Sequence, residues 1–440
     1  MFITDLPFHE QPEGPISIAA IGCGARAQTY LAIARDEMPQ RYTVVAGADP
    51  VGERRARIRQ ISQNPTFCEF EDAEALLQQP RLADVLLIST QDNYHFDPCQ
   101  KAIEKGYHVL LEKPIAQTAD ETAEIARLAR LHDRRVVICF VLRYTTFYQK
   151  LKEILDAGRI GEIVSVNCVE GVEPWHQAHS FVRGHWARKD PSTPMIVAKG
   201  CHQMDILAWL LDDRCQALSS MGKLTYFTLA NKPDRATLRC TDGCPHVGEC
   251  VFDAHRYAGE MRDPWLRVLL PNWREMSDEA VYRWLETSNW GRCVWQCDND
   301  VVDHQVISLQ FNKGVTATFT MTAFESHTHM EFFGTRGVLK AGTKKRDELG
   351  CDIWIRDHGD SAVERVSVDK SAPVSEHDMH GGGDWGLVNA MDRIFRGAPG
   401  TETDLIETAV EGHLMAFAAE ASRVNGGQCV DLADYRDKLG

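Results

Sequence analysis

The most constraining feature is a short apolar run, residues 16–21 (ISIAAI), that ends in Gly22-Cys23-Gly24-Ala25-Arg26-Ala27. A helical pattern follows through Leu31 and Ile33. A strand, a G-x-G-x-x-G/A turn and a helix in immediate succession form a cradle for a pyrophosphate. Gly22 allows the tight turn, and Gly24 lets the backbone approach the phosphates. Ala27 lets helix pack on strand, and the helix N-terminus favours negative charge. Ala25 and Arg26 complete the loop. Asp49 ends the next strand-like run. Its separation from Ala27 is that of a carboxylate that binds ribose hydroxyls. It would repel a 2′-phosphate, which favours NAD over NADP. The run Arg54-Arg55-Ala56-Arg57 reads as a solvated helix face, although an arginine there could meet such a phosphate.

Residues 1–142 repeat this alternation. Strand patterns fall at 43–48, 84–90, 107–111 and 136–141, with helices at 53–62, 95–105 and 119–132. Consecutive apolar positions suit parallel strands covered on both faces, so a doubly wound α/β sheet is expected. From 143 to about 380 the texture changes to an α+β pattern with a largely antiparallel, open sheet. Helices are expected at 146–157 and 199–211, and strands at 163–169, 301–311 and 315–323. Residues 381–440 read as C-terminal helices behind the turn GGGDWG. Residues 236–297 stand out, with five of the 14 cysteines and five of the 10 tryptophans. They read as an insertion with its own packing.

The net charge of −15 argues against general nucleic-acid or anionic-membrane binding, which rests on lysine and arginine. No apolar run approaches the roughly 18 residues that span a bilayer. The N-terminal stretch MFITDLPFHEQPEGP lacks a basic and an apolar leader region. The 14 cysteines fall well below disulfide-scaffold density, so a reducing cytoplasm is the expected compartment.

Glu112-Lys113-Pro114 follows a buried strand, at the sheet edge where open α/β folds place ligands. With that tripeptide the chain resembles the Gfo/Idh/MocA family of nicotinamide-dependent oxidoreductases. The resemblance runs through Ala20–Arg26, Ser89–His95, His108–Pro114, Leu151–Ile163 and Cys201–Ile206. It spans residues 16–230 well and 300–420 more loosely. It implies a Rossmann domain joined to an α/β domain whose open sheet often forms the oligomer interface, hence a homodimer or homotetramer. It also implies hydride transfer between NAD and a carbinol of a sugar, glycoside or polyol. Lys113 would contact the reacting hydroxyl and His202 would act as general acid or base. Asp205, at i+3, would orient His202 or hold a neighbouring hydroxyl. Thr90, Asn93, His95 and Glu112 fall in segments expected near the coenzyme, although His95 could equally cap the next helix.

One departure from the family stands out. The aspartate often found four residues before the histidine is Ala198 here, followed by Lys199. A second cation beside the site makes an anionic substrate more plausible, unless Lys199 faces solvent. Further substrate candidates are Arg143, Tyr144, Trp175, His176, His179, Arg183, Trp186, His380 and Asp384. Indole faces and hydrogen-bonding side chains suit a sugar. The same residues leave room for a redox-neutral glycoside hydrolase or lyase that uses NAD transiently, or for a non-catalytic NAD-binding regulator. Cys240, Cys244, Cys250 and Cys293 form a candidate structural zinc set, with an iron–sulfur cluster or free buried thiols as alternatives.

Overall fold

The computed structural model describes residues 14–270, 272–342, 352–368 and 375–437. Most of the stretch read for a leader lies outside them.

The first lobe opens with β1 (Ile16–Ile21), α1 (Ala25–Glu37), β2 (Tyr42–Ala48), α2 (Gly52–Ser62), β3 (Cys68–Phe70) and α3 (Ala73–Leu77). It continues with β4 (Val85–Ile88), α4 (Phe96–Glu104), β5 (His108–Leu111), α5 (Ala119–Leu131) and β6 (Val136–Ile138). The strands form one parallel sheet in the order β3-β2-β1-β4-β5-β6. Every residue of β4, β5 and β6 is buried, which explains their unbroken apolar runs. The chain reverses at β1, so the carboxyl ends of β1 and β4 flank the crevice where such sheets take ligands. Thr118 and Glu121 form a capping box that fixes the start of α5.

The second lobe comprises α6 (Thr146–Asp156), β7 (Ile163–Gly171), α7 (Pro174–His176), α8 (Cys201–Leu211) and β8 (Cys215–Lys223). The insertion follows, with α9 (Arg262–Trp265) and α10 (Asp278–Thr287). Then come β9 (His304–Phe311), β10 (Thr316–Thr322), β11 (Thr328–Gly334), β12 (Gly337–Gly342), β13 (Ile353–Asp357) and β14 (Glu364–Val366). The chain ends in α11 (Gly383–Phe395), α12 (Ile406–Val424), β15 (Val430–Asp431) and α13 (Leu432–Asp437). Nine strands form one sheet, β14-β13-β12-β11-β7-β10-β9-β8-β15, antiparallel except for β7 beside β10. The expected largely antiparallel second sheet is therefore present. It has more strands than the sequence pattern indicates.

The two C-terminal helices divide between the lobes. α11 buries Leu387, Val388, Met391, Ile394 and Phe395 in the same core as Tyr30 and Ile33 of α1. α12 straddles the junction. Ile406 and Ala409 join the first-lobe core, and Leu414–Ala419 join the core under the large sheet.

Candidate active site

β1 delivers the backbone into Gly22 at φ +83, where a Cβ would lie 2.7 Å from the Ser89 carbonyl and 2.8 Å from the Thr90 nitrogen. Only glycine fits. Gly22→Ala should cost about 2 kcal/mol or more, through strain and overlap, and should weaken coenzyme binding with it. Urea denaturation and a binding titration check this; an unchanged midpoint and affinity would contradict it. Gly24 has open space where a Cβ would point. It precedes α1 without a side-chain cap, so the first amides of the helix remain available to an anion. The Cys23 and Val51 amides hold Asp49, donating to its Oδ2 at 2.9 Å and its Oδ1 at 2.8 Å. The carboxylate is thus fixed beside the loop. Arg55 donates to the Asp49 carbonyl at 2.5 Å, and Arg54 lies 3.8 Å from its carboxylate. The arginine run is therefore partly tied to the end of β2. These features fit a dinucleotide with its pyrophosphate on the loop and its ribose on Asp49.

Arg26 corrects an expectation. Its guanidinium is committed within the protein: it binds Glu112 Oε1 at 2.8 Å and Asp384 Oδ1 at 2.6 Å, and it also reaches the Tyr30 hydroxyl. Tyr30 in turn donates to Glu112 at 2.8 Å. His380 Nδ1 stands 3.1 Å from both Asp384 oxygens. The Asp384 side chain is fully buried, so it braces α11 against the loop instead of facing a substrate. Burial alone would raise the pKa of Asp384, but His380 and Arg26 hold it far below the usual carboxylate range. Glu112 is likewise lowered, because Arg26 and Lys113 outweigh its burial. The other Glu112 oxygen accepts the Lys113 amide at 3.1 Å, which ties this network to the lysine.

His95 is also corrected. Its side chain makes no capping bond to α4; its buried ring lies between Pro114 O, 2.7 Å from Nδ1, and Thr90 O, 3.2 Å from Nε2. It thereby braces the strand ends that carry Lys113. Asn93 stays partly exposed on the intervening turn, and the Thr90 hydroxyl donates to Tyr94 O at 2.9 Å.

Lys113 crosses to the second lobe. Its Nζ donates to Ala198 O at 2.9 Å, on a wide π-helical turn over Ile196–Gly200 that feeds straight into α8. His202 lies in the first turn of α8, with its ring centre 5.5 Å from that of Phe140. It is only 9% exposed, and Nδ1 has no hydrogen-bond partner among the described residues. Burial, followed by the charges of Lys113 and Lys199, pushes its pKa well below that of an ordinary imidazole. The ring is therefore neutral at neutral pH.

Asp205 does not orient His202. It pairs with Arg143 at 2.7 Å, and both are buried. Arg143 also binds Thr403 O at 2.6 Å, and the Tyr144 hydroxyl binds Asp404 at 2.7 Å. These contacts join α8 to the segment before α12 and commit the Arg143 guanidinium and the Tyr144 hydroxyl to protein partners.

Lys199 is a quarter exposed, and its Nζ lies 3.3 Å from Glu170 on β7. Glu170 is absent from the residues that the sequence singles out. It is buried, and it also accepts from Gln203 and Thr328 at 2.5 Å each. A carboxylate thus meets the second cation from a strand instead of from position 198. No local motif marks Glu170, because it approaches from a separate element, β7, and not from the turn before α8.

His176 remains beside the lysines. Burial and the charge of Lys199, with smaller effects from His179 and Lys113, lower its pKa well below the ordinary value. Its ring centre lies 4.8 Å from that of Trp265, so the insertion backs this wall. The other aromatic candidates belong elsewhere. Trp175 is buried against Tyr257. His179 Nδ1 meets the Tyr257 hydroxyl at 2.6 Å, and burial brings its pKa down to about 3. Arg183 is 2% exposed and bonded to the carbonyls of Arg292 and Phe252. Trp186 Nε1 donates to Asp92 at 2.9 Å, and Asp92 also accepts from Thr193 at 3.0 Å, so this pair joins the lobes.

Among the described residues, no three His, Cys, Asp or Glu side chains are placed to share a metal ion. The zinc expectation gains no support from that arrangement. Cys240, Cys244, Cys250 and Cys293 line a cavity of about 20 Å³.

Residues 16–140 match the model of an oxidoreductase family with an NAD-binding Rossmann fold, and residues 148–269 match the Gfo/Idh/MocA C-terminal domain. The chain belongs to the Gfo/Idh/MocA family. One relative is an inositol 2-dehydrogenase of Pseudomonas fluorescens, 30% identical over 201 residues, which are 45% of this chain and 55% of that protein. The chain spans about half the length of the curated relatives it matches. Among solved structures, an oxidoreductase from Agrobacterium radiobacter in complex with NAD+, L-tartaric acid and magnesium superposes with TM-score 0.66 at 15% identity, over 96% of this chain and 99% of that one. The scyllo-inositol dehydrogenase of Lactobacillus casei, with NAD(H) and scyllo-inositol, gives TM-score 0.62 at 15% identity, over 95% and 99%. These two likenesses establish the shared fold. Among the described residues, no helix is long and apolar enough to cross a membrane.

Proposed function

We propose that this Gfo/Idh/MocA protein is an NAD-dependent oxidoreductase that moves a hydride between nicotinamide and a carbinol of a sugar or polyol. The observation that carries this reading is the Lys113 ammonium, hydrogen-bonded to the turn that leads into the buried, neutral His202. The Gly22–Ala27 loop and Asp49 would hold NAD, which when bound supplies the hydride acceptor or donor. The Asp49 carboxylate, which would repel a 2′-phosphate, favours the unphosphorylated ribose.

The protein's share of the work is proton management and positioning. One N–H of Lys113 is committed to Ala198, and the other two are free to donate to a substrate oxygen. A neutral imidazole has one acceptor nitrogen. During oxidation His202 takes the hydroxyl proton while Lys113 stabilises the oxygen as it gains negative charge. In reduction the roles reverse. Lys199, held by Glu170, and His176, backed by Trp265, form the far wall. Lys199 suits a substrate with an anionic group, such as a sugar acid. The inositol dehydrogenase relatives and the tartrate complex both agree with a small polyhydroxy ligand.

The reading is tested by incubating the purified chain with NAD and a panel of inositols, aldoses, aldonates, uronates and glycosides. Stoichiometric NADH formation on one of them is expected. Glycoside cleavage without net NADH would replace the dehydrogenase with the redox-neutral reading. The homo-oligomer remains part of the proposal, with the polar outer face of the large sheet (Asn167, Ser308, Gln310, Thr318) as its surface.

A further inference from the structure

The insertion packs around a buried positive charge, Arg183, that faces no carboxylate hydrogen-bond partner among the described residues. Arg183 is 2% exposed, and a guanidinium stays protonated in a protein. Among the described residues its partners are neutral: Nε donates to Arg292 O at 2.7 Å, Nη2 to Phe252 O at 2.7 Å and to Cys240 Sγ at 3.8 Å, and the guanidinium also meets the Tyr257 hydroxyl. Nη1 is buried with no partner among the described residues. A charge taken out of water in this way demands a counter-charge. The one carboxylate in the lining of the adjoining cavity, Asp253, is already committed. It accepts from the Gly248 amide at 2.9 Å and from His255 Nδ1 at 2.7 Å.

The same cavity is lined by four cysteines, Cys240, Cys244, Cys250 and Cys293. We propose that it binds one zinc ion on these four thiolates, and that Arg183 is the buried counter-cation of the resulting site. Four thiols release four protons to solvent, and a divalent ion on four thiolates carries a net charge of −2. Arg183 offsets one of those charges. No three of the described His, Cys, Asp or Glu side chains are yet placed to share an ion, so binding would require the four thiols to move inward.

Three features support the assignment. Size comes first: about 20 Å³ accommodates one water-sized particle, which suits a single ion and not a multi-iron cluster. The backbone also prepares the set. Cys240 N donates to Gly291 O at 3.0 Å and Cys293 N donates to Leu238 O at 2.9 Å, an antiparallel bridge that sets these distant cysteines side by side. Cys244 and Cys250 sit on turns closed by Val247 N to Cys244 O at 3.3 Å and Cys250 N to His246 O at 3.0 Å. Finally, residues 232–253 contain no helix or strand. A segment held by turns alone gains most from a structural metal. Cys297 is not in the lining; its Sγ lies 3.3 Å from Cys293 O.

The test is metal analysis of the full chain, produced with added zinc and purified without chelator. About one zinc per chain is expected for a single four-thiolate site. A Cys244→Ser, Cys250→Ser double variant should lose it, whereas Cys297→Ser should keep it. Should the double variant fail to fold, cobalt exchange on the unaltered chain decides. Near-ultraviolet thiolate-to-cobalt charge-transfer bands and the intense visible bands of a tetrahedral site are expected. The proposal is overturned by a wild-type chain that stays metal-free after dialysis against zinc, by a folded double variant that retains its zinc, or by a cobalt spectrum without thiolate bands.

Discussion

Lys113→Met should lower turnover by about 10²–10⁴-fold while leaving NAD affinity within a few-fold of wild type, because the change removes a proton-handling group at the reacting oxygen. His202→Ala should fall in the same range. The two effects should combine to much less than their product, since both groups serve one proton movement. Steady-state rates and calorimetric NAD binding separate chemistry from coenzyme docking. Full turnover in either variant would remove its target from the mechanism. The pH profile adds a check on His202. Because burial and the neighbouring lysines depress its pKa, the rate of oxidation should not decline through the ordinary imidazole range as pH falls, but only below it. A decline centred near pH 6.5 would mean that the ring is exposed or is not the acceptor.

Arg26→Met should be the most damaging substitution to stability. It strips the cation from two carboxylates, Glu112 and Asp384, whose side chains are 9% and 0% exposed. Breaking a buried pair by removing one partner costs about 3–5 kcal/mol, chiefly because the remaining charge is left uncompensated. The pH dependence has a definite sign. Both carboxylates are lowered in the folded protein, so the stability they contribute is present above their unfolded values near 4. It is lost as pH falls through the folded values. The gap between wild type and variant should therefore be wide at about pH 7 and should narrow toward acid. Urea melts at both ends of that range measure it; a constant gap would mean the network is not ionic.

The first lobe was readable because its strands are buried on both faces and its turns carry fixed chemistry. The run from Ile16 to Ile21, the glycines at 22 and 24, and Asp49 constrain one another within a single strand–helix–strand unit. The edge strand β3 escaped, being three residues long and only partly buried. In the second lobe β9 alternates buried and exposed residues and was legible, whereas β12–β14 are only six, five and three residues long, too short to show a clear period. The site divides in the same way. Lys113 and His202 sit in motifs that the sequence displays. Glu170 and Asp92 do not, because each is drawn in from another element by tertiary packing. Arg26 reads as part of the coenzyme loop because its partner Asp384 lies near the other end of the chain. Arg183 and His179 were read as sugar ligands because local sequence does not reveal which side of a loop faces the solvent.

The return of α11 to the first lobe bears on how the polypeptide is made. Its five buried side chains contribute roughly 10 kcal/mol in all, at about 2 kcal/mol apiece. A ribosome that has released only residues 1–142 has therefore exposed a nucleotide-binding half with an open flank against α1. That half closes only after strands β7–β14 of the large sheet and then Gly383–Phe395 have emerged. Folding here cannot proceed strictly from the N-terminus, and a fragment cut at the apparent boundary would be sticky and short-lived.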